Sequence, residues 1–263
     1  MILDRFKLTD RVAIVTGAGK GIGRGTAIAL AEAGADVVCA ARTLEDIEQT
    51  ADLVRATGRQ AVAVETDVLE RSHLERLVAR ATAELGRIDI LVNNAGGWPP
   101  REAMRTSEAA FEQALRFNVV SPFLLTRLVV PVMVERAGGG AVVNISSRAA
   151  SMVQPCFTAY GTAKAGLSFM TRNMASELAP KVRVNAIEVG GVETDALASV
   201  LTDESIRRQM EDNTPMRRVG QVEDIAAAVI YLASDASSWV TGKVFEVDGG
   251  VEHPSFTIPF EPL

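Results

Sequence analysis

One stretch near the start of the chain decides the fold, Arg11-Val-Ala-Ile-Val-Thr-Gly-Ala-Gly-Lys-Gly-Ile-Gly-Arg24. Its β-branched apolar run ends at Thr16, glycines follow at every second position, and an alanine-rich helical pattern continues to about Leu30. This order predicts a strand, a tight turn and a helix. Glycine suits the turn because it adopts positive φ angles and lets a ligand approach the backbone N–H groups. The helix N-terminus that follows favours a phosphate, and a glycine-rich turn without a ligand is the alternative.

Composition limits the classes of function. The chain has 263 residues, of which 48% are hydrophobic, so we expect one domain, residues 1–263, with a large core. The net charge of −6 gives no basic surface for nucleic acid or an anionic membrane. The N-terminus lacks the apolar segment of a signal peptide, so we expect a cytoplasmic protein. The two cysteines, Cys39 and Cys156, and the two histidines, His73 and His253, are spaced for neither a disulfide framework nor a metal site.

Apolar runs alternate with helical patterns along the rest of the chain. We predict strands at 36–41, 60–65, 88–93, 141–146, 182–188 and 243–247, and helices at 44–56, 72–85, 107–136, 159–178 and 222–233. Continuous apolar strands separated by helices indicate a parallel sheet covered on both faces. We therefore expect an α/β fold with a doubly wound, Rossmann-type sheet of about seven strands. The amphipathic segment at about 192–215 interrupts the alternation beyond a strand end, and we interpret it as a substrate lid.

Two side chains in the second half of the chain could carry acid–base chemistry. Tyr160 and Lys164 are four residues apart, so on a helix they share one face, and a cation beside a phenol stabilises the phenolate. A phenol with a lowered pKa can exchange a proton with a carbonyl or alcohol while hydride moves to or from a nicotinamide. Ser147, at a strand end, could hold the same oxygen. Taken alone, Tyr160 and Lys164 fit a surface pair or the edge of the core better, and Ser147 fits a helix or turn cap better.

Asparagines mark two further positions. Asn118 falls inside a predicted helix, where a short amide side chain is unfavourable, so we expect it to face the interior. The run Asn93-Asn-Ala-Gly96 closes a strand whose end should lie near the glycine turn. Asparagine tolerates the left-handed geometry of such a bend, which by itself requires no ligand.

Together these motifs resemble those of the short-chain dehydrogenase/reductase family. The shared pattern is Thr-Gly-x-x-x-Gly-x-Gly at 16–23, Asp67, Asn-Asn-Ala-Gly at 93–96, Asn118, Ser147 and Tyr160-x-x-x-Lys164, and it spans about residues 8–250. The resemblance implies a dehydrogenase with Asn118, Ser147, Tyr160 and Lys164 as its catalytic residues. Tyr160 would be the acid/base, Ser147 would hold the carbonyl oxygen, Lys164 would contact ribose and phenol, and Asn118 would hold a relay water.

The same resemblance implies a set of residues that contact a dinucleotide cofactor. They are Gly17, Gly19, Lys20, Gly21, Ile22, Gly23, Arg42, Asp67, Val68, Asn94, Ala95, Gly96, Val192 and Thr194, together with Tyr160 and Lys164. Asp67 would meet the adenine and Thr194 the carboxamide. The extended branch of the family carries glycine at position 20, so Lys20 argues against the sugar epimerases and dehydratases.

The charge after the second strand bears on the choice of cofactor. A carboxylate there would bind the ribose 2′-OH of NAD and repel the 2′-phosphate of NADP. The chain has Cys39-Ala-Ala-Arg42 instead, and Arg42 and Lys20 could pair with that phosphate unless both are simply solvated. We predict NADP(H), with NAD(H) as the alternative. One departure from the family pattern is Val189, where proline is usual, and we expect it to loosen the start of the following loop.

Candidate substrate walls are mostly apolar, which suits a hydrophobic alcohol or ketone. They are Trp98, Met152, Val153, Cys156, Phe157, Leu197 and Val200, each of which could also be core or lid packing. Within the family, the runs at 94–97, 194–197 and 213–218 resemble those of the bacterial 7α-hydroxysteroid dehydrogenases and, less closely, the 3-oxoacyl-carrier-protein reductases. Fold analogy does not transmit a substrate. A cofactor-binding sensor or scaffold without turnover is the alternative function.

The apolar C-terminal tail, residues 251–263, predicts a packing role. Phe256 and Phe260 lie among three prolines and would be a liability in water, so we expect the tail to pack on this subunit or on a neighbour. The family resemblance implies a homotetramer with 222 symmetry. The helices at 107–136 and 159–178 would form one of its interfaces.

Overall fold

The predicted doubly wound sheet is confirmed. The computed structural model describes residues 1–195, 197, 198, 202–258 and 260. In this part of the chain seven parallel strands form one sheet in the order β3-β2-β1-β4-β5-β6-β7. The strands are β1 Val12–Thr16, β2 Asp36–Ala41, β3 Ala61–Glu65, β4 Ile90–Asn93, β5 Gly140–Ser147, β6 Val182–Val189 and β7 Val244–Val247. The strand order reverses between β1 and β4, which is where such sheets bind ligands.

The helices follow the predicted alternation. They are α1 Gly21–Glu32, α2 Leu44–Ala56, α3 Arg71–Leu85, α4 Glu108–Leu115, α5 Ser121–Val132, α6 Thr158–Leu178, α7 Glu204–Asn213 and α8 Val222–Ala233. Successive side chains of β1 point to opposite faces of the sheet. Ala13 and Val15 pack in the cluster with α1, α2 and α8, whereas Ile14 packs in the cluster with α3, α5 and α6. Both faces are covered, so the strand must be apolar throughout.

The predicted helix at 107–136 contains two π-helical turns, Arg116–Val120 and Met133–Ala137. A π turn inserts a residue and changes which side chains face inward. The first turn contains Asn118, whose side chain is fully buried, as the sequence predicts. The second turn follows Pro131, which lies inside α5 and donates no backbone hydrogen bond.

Among the described residues, one helical stretch, Glu108–Ala137, is long and apolar enough to span a membrane by length and composition, with a mean hydropathy of 1.7. One face of this stretch packs against the sheet through Leu125 and Val129, which are buried. The opposite face carries exposed apolar side chains, including Phe123. This outward face therefore does not pack in the core of the subunit.

The strand β6 continues through Val189, where the family pattern has proline. Val189 pairs with Ser147 on one side and Val247 on the other, and the N–H of Gly190 donates to the Val247 carbonyl over 3.1 Å. A valine at this position keeps the strand ladder that a proline would have interrupted.

The tail packs on its own subunit as far as Phe256, one of the two expected outcomes, whereas Phe260 is 47% exposed. Val251 is buried, and Phe256 packs against Met210 of α7 and Val219. The side-chain amide of Asn213 donates to the Ser255 carbonyl over 3.1 Å. The tail thus covers α7. Residues 259 and 261–263 of the predicted tail, and residues 196 and 199–201 of the predicted lid, lie outside the described residues.

Candidate active site

The glycine turn joins β1 to α1 with little free space. Gly17 has φ +66° and Gly21 has φ +50°, which favour glycine. A Cβ atom on Gly23 would lie 2.1 Å from the Gly17 carbonyl oxygen, so a side chain there would push α1 away. The side-chain amide of Asn94 donates to the Thr16 carbonyl over 2.9 Å and ties the end of β4 to the turn. The bare backbone at the start of α1 fits a dinucleotide pyrophosphate.

Gly96 separates two of the predicted catalytic side chains. A Cβ atom on Gly96 would lie 2.9 Å from both Asn118 Oδ1 and Lys164 Nζ. Asn118 is held in place by Gly97, whose N–H donates to Asn118 Oδ1 over 2.9 Å, and by the Ala114 carbonyl, which accepts from Asn118 Nδ2 at 2.9 Å. The structure thus brings Asn118 and Lys164 to the same side of β4.

Lys164 is almost fully buried on α6. Its ammonium donates to the Ile145 carbonyl over 2.8 Å and lies 5.7 Å from the centroid of the Tyr160 ring. Burial lowers the pKa of Lys164 to about 8, because the charged form loses its hydration. A lysine with this pKa is close to its titration midpoint in mildly alkaline solution.

Tyr160 does not show the lowered pKa expected from its spacing to Lys164. Burial raises the pKa of the phenol, and a hydrogen bond with the Ser147 side chain lowers it by less. The ammonium that was expected to stabilise the phenolate is engaged with the backbone of β5 instead. The protein alone therefore keeps Tyr160 as a proton donor.

Ser147 ends β5 and forms the turn cap that was one of the two interpretations of this residue. Its hydroxyl accepts from the Ala149 N–H over 3.2 Å, which is a turn cap, and it also bonds Tyr160. Ser147, Tyr160 and Lys164 line a cleft of about 650 Å³ at the carboxyl edge of the sheet. A hydroxyl, a phenol and an ammonium at one wall can hold a carbonyl oxygen and deliver a proton to it.

A second cleft continues from the first along the carboxyl ends of β1 and β2. All the predicted cofactor residues line one or both clefts. The second cleft takes Gly17, Gly19, Arg42, Asp67, Val68 and Ala95, the first takes Gly21, Ile22, Gly23, Tyr160, Lys164, Val192 and Thr194, and both take Lys20, Asn94 and Gly96. Asn118 lies behind Gly96 rather than on the cleft surface. The arrangement suits an extended dinucleotide that crosses the sheet.

Asp46 is a charged residue of this second cleft that the sequence reasoning missed. Its carboxylate lies 3.3 Å from Lys20 Nζ, and a Cβ atom on Gly19 would lie 3.0 Å from Asp46 Cβ. Asp46 is in the first turn of α2, where a carboxylate is favoured by the helix dipole. In the sequence, Asp46 is recognisable only as an acidic residue at the start of a helix. The fold places its side chain beside the glycine turn.

The predicted substrate walls divide into two groups. Trp98, Met152, Phe157 and Leu197 line the first cleft. Val153 does not line it, being 89% exposed. Cys156 has a left-handed backbone, and its carbonyl accepts from the Arg101 N–H over 2.7 Å, so it lines a separate depression. Val200 lies outside the described residues.

Three wall residues come from the tail, which the sequence did not assign to the site. They are Val251, Ser255 and Phe256, and they line the cleft together with Met210 of α7, which lies in the predicted lid segment. The apolar composition of the tail predicts that it packs against protein, but it does not predict which surface it covers. No pattern in the sequence indicated that it would close the cleft together with α7.

A glycine turn and a catalytic cluster at one edge of a doubly wound sheet define a class, the dinucleotide-binding oxidoreductases. A family model described as enoyl-(acyl carrier protein) reductase matches residues 17–252. The chain belongs to the short-chain dehydrogenase/reductase family. Its relatives are named dehydrogenases and oxidoreductases, and the chain is an enzyme of that class.

The proteins that are similar to this chain carry different names. The 7α-hydroxysteroid dehydrogenase of Escherichia coli K12 is 43% identical over 248 residues, which are 94% of this chain and 96% of that protein. An uncharacterized oxidoreductase of Mycobacterium tuberculosis is 45% identical over the whole of both chains. A solved 7α-hydroxysteroid dehydrogenase complexed with NADH and 7-oxo glycochenodeoxycholic acid has a TM-score of 0.91 at 42% identity, covering 96% of this chain and 98% of that one.

A second solved structure carries the other cofactor. The gluconate 5-dehydrogenase of Burkholderia cenocepacia, in complex with NADP and tartrate, has a TM-score of 0.89 at 33% identity and covers 95% of this chain and 98% of that one. The two structures share one fold but hold different dinucleotides. The preference of this chain for one dinucleotide therefore depends on the charged residues of its own second cleft.

Proposed function

We propose that this enzyme is an NADP(H)-dependent oxidoreductase that interconverts a secondary alcohol and a ketone on a hydrophobic substrate. One observation carries the proposal: Ser147, Tyr160 and Lys164 converge on the wall of a cleft whose other walls are mostly apolar. An apolar cleft with a few polar groups at one point orients a substrate by its single reactive oxygen.

The residues have separate tasks in this reaction. Ser147 donates to the substrate oxygen, and Tyr160 transfers the proton to or from it. Lys164, next to Gly96, lies where it can bind a ribose hydroxyl and hold the positive charge beside the phenol. The nicotinamide, when bound, supplies or accepts the hydride. Asn118 fixes the loop at Gly97 and thereby the space in front of Lys164.

The preference for NADP(H) is supported by two basic side chains and opposed by one acid. Lys20 and Arg42 both line the second cleft, and β2 ends at Ala41 without a carboxylate. Asp46 lies 3.3 Å from Lys20 and reduces the positive charge available to a 2′-phosphate. Two cations against one carboxylate still favour the phosphate, because Arg42 has a fork that matches it.

The substrate class we propose is a hydroxysteroid or a 3-oxoacyl compound. Support comes from the apolar walls Trp98, Met152 and Phe157, and from Met210 and Phe256, which close the far side of the cleft. We also propose that the segment 192–215, which includes α7, works as a lid. A lid built on Met210 would exclude water from the reacting carbonyl when it closes.

We further propose a homotetramer in which α5 and α6 form one interface. The surface between these helices exposes apolar side chains, with Phe169 61% and Phe123 38% exposed. A second copy of the chain would cover the outward apolar face of the stretch Glu108–Ala137 described above.

A single assay tests the activity. Oxidation of NADPH and of NADH is followed at 340 nm with a panel of steroid ketones, 3-oxoacyl thioesters and small ketones, and Tyr160→Phe is the matched control. Turnover that is lost in Tyr160→Phe supports the proposal. Tight cofactor binding without turnover on any panel member would contradict it and favour a sensor or scaffold.

A further inference from the structure

A buried group of charges lies directly behind the end of β5. Arg148, the residue after Ser147, is 9% exposed, and Glu188 of β6 is 4% exposed. The Arg148 guanidinium lies 3.7 Å from the Glu188 carboxylate and 2.8 Å from that of Asp248, and it also contacts Glu246. Ionised side chains are costly to bury, and apolar residues of similar volume often give equal or greater stability. Stability of the fold therefore does not by itself explain why these charged side chains are buried here.

One carboxylate oxygen of Glu188 reaches the catalytic helix. Glu188 Oε1 accepts from the Ser168 hydroxyl over 2.9 Å, and Ser168 lies one turn beyond Lys164 on α6. The hydroxyl of Ser146 can direct its single proton to the Ser168 hydroxyl, 3.0 Å away, or to the Lys164 carbonyl, 3.2 Å away. Either bond ties the residue before Ser147 to α6.

The other oxygen of Glu188 reaches the substrate walls. Glu188 Oε2 accepts from the Ser151 hydroxyl over 2.5 Å, and Ser151 precedes the wall residue Met152. Arg148 donates to the Ser151 hydroxyl over 2.9 Å and to the Val251 carbonyl over 3.1 Å. Val251 begins the tail that closes the cleft. The second arm thus connects the charge cluster to two segments that shape the substrate side.

We propose that Glu188, together with Arg148, is a positioning residue with two separable tasks. Through Ser168 it sets Ser147 against the face of α6 that carries Tyr160 and Lys164. Through Ser151 it sets the loop that carries a substrate wall. The inference rests on the proposed function, because it assigns these bonds to the geometry of that reaction.

Two single-atom deletions separate the tasks, measured on the full-length protein with NADPH and a substrate found in the panel. Ser168→Ala should lower kcat roughly tenfold and change the substrate KM less than about twofold, because small displacements of catalytic groups have large effects on rate. Ser151→Ala should raise the substrate KM several-fold and leave kcat within about twofold. The dissociation constant of NADPH should be unchanged in both variants.

The matched control is Ser237→Ala. Ser237 is also buried and bonded to an arginine, Arg183, but at the opposite end of β6. It should lower the melting temperature without changing kcat or KM. Glu188→Leu should combine both kinetic defects, and Glu188→Gln, which keeps the size of the side chain and one of its two acceptor oxygens, should restore part of the lost kcat.

The outcomes separate the inference from the function on which it rests. If the wild-type protein turns over its substrate but Ser168→Ala and Ser151→Ala change only the melting temperature, as Ser237→Ala does, the inference is overturned and the function stands. Equal effects of the two serine variants on kcat and KM would also overturn it. A wild-type protein that turns over no panel member overturns the proposed function, and the inference with it.

Discussion

Replacing Lys164 by methionine should change how the stability of the protein depends on pH. Burial lowers the pKa of this lysine from 10.5 to about 8 in the folded protein. Between these two values the unfolded chain holds a proton that the folded chain has released, so the free energy of unfolding rises with pH. Lys164→Met keeps the length of the side chain and removes the titrating group, so the variant should lack this rise.

The size of the effect follows from the two pKa values. Each unit of difference between the folded and the unfolded pKa corresponds to about 1.4 kcal/mol of unfolding free energy. Only part of this gain falls between pH 7 and pH 9.5, because the unfolded lysine titrates above that interval. Between pH 7 and pH 9.5 the wild type should gain about 2 kcal/mol relative to Lys164→Met. The absolute difference between the proteins at pH 7 includes the lost bond to the Ile145 carbonyl. Only the change of that difference with pH reports the titration.

Urea unfolding at several pH values, at one fixed protein concentration, measures this quantity. The fluorescence of Trp98 and Trp239 follows the transition, and a constant concentration removes the contribution of any subunit association. Lys181→Met, at an exposed lysine, controls for the loss of one surface charge. A difference between wild type and Lys164→Met that stays constant from pH 7 to pH 9.5 would refute the reasoning, and it would mean that Lys164 keeps its proton or reaches water.

Three other substitutions test separate parts of the site. Asp46→Asn should lower the KM of NADPH roughly fivefold and leave that of NADH unchanged, since one charge near a phosphate is worth about 1 kcal/mol in water; equal changes for both cofactors would contradict this. Gly96→Ala should lower kcat at least tenfold without unfolding the protein, because the added methyl group would press on Asn118 and Lys164. The control Gly166→Ala should leave kcat unchanged, because its methyl group would make only an ordinary contact at 3.5 Å. Phe169→Glu should reduce the molar mass measured by light scattering, and the exposed control Leu53→Glu should not; an unchanged mass would exclude this face as the interface.

The periodic parts of the fold could be predicted, because each element repeats one local rule. The strand 36–41 and the helices 44–56 and 222–233 have the bounds expected from their apolar spacing. The interruption at Arg116–Val120 could not be predicted, because a π turn depends on the bonds that Asn118 makes with Gly97, twenty-one residues away. Local pattern carries no information about that pair.

The candidate site also contains features that follow from local sequence and features that depend on distant contacts. Ser147, Tyr160 and Lys164 were assigned through the family resemblance, and one helix face and one strand end bring them together in the structure. The spacing of Tyr160 to Lys164 predicts a lowered pKa, whereas burial raises the pKa of the phenol in the protein alone. Burial then dominates, and burial is a property of the whole fold.

The departure from the family pattern at Val189 bears on Glu188, the residue before it. Valine at 189 keeps β6 paired on both sides, so Glu188 is held on a continuous strand, paired in register with Ser146. A proline at 189 would remove a ladder bond next to this carboxylate. Glu188 must contact Ser168 and Ser151 at once, and such a contact requires a fixed backbone. The valine therefore keeps the backbone of Glu188 in the strand ladder, as the positioning role that we infer for Glu188 requires.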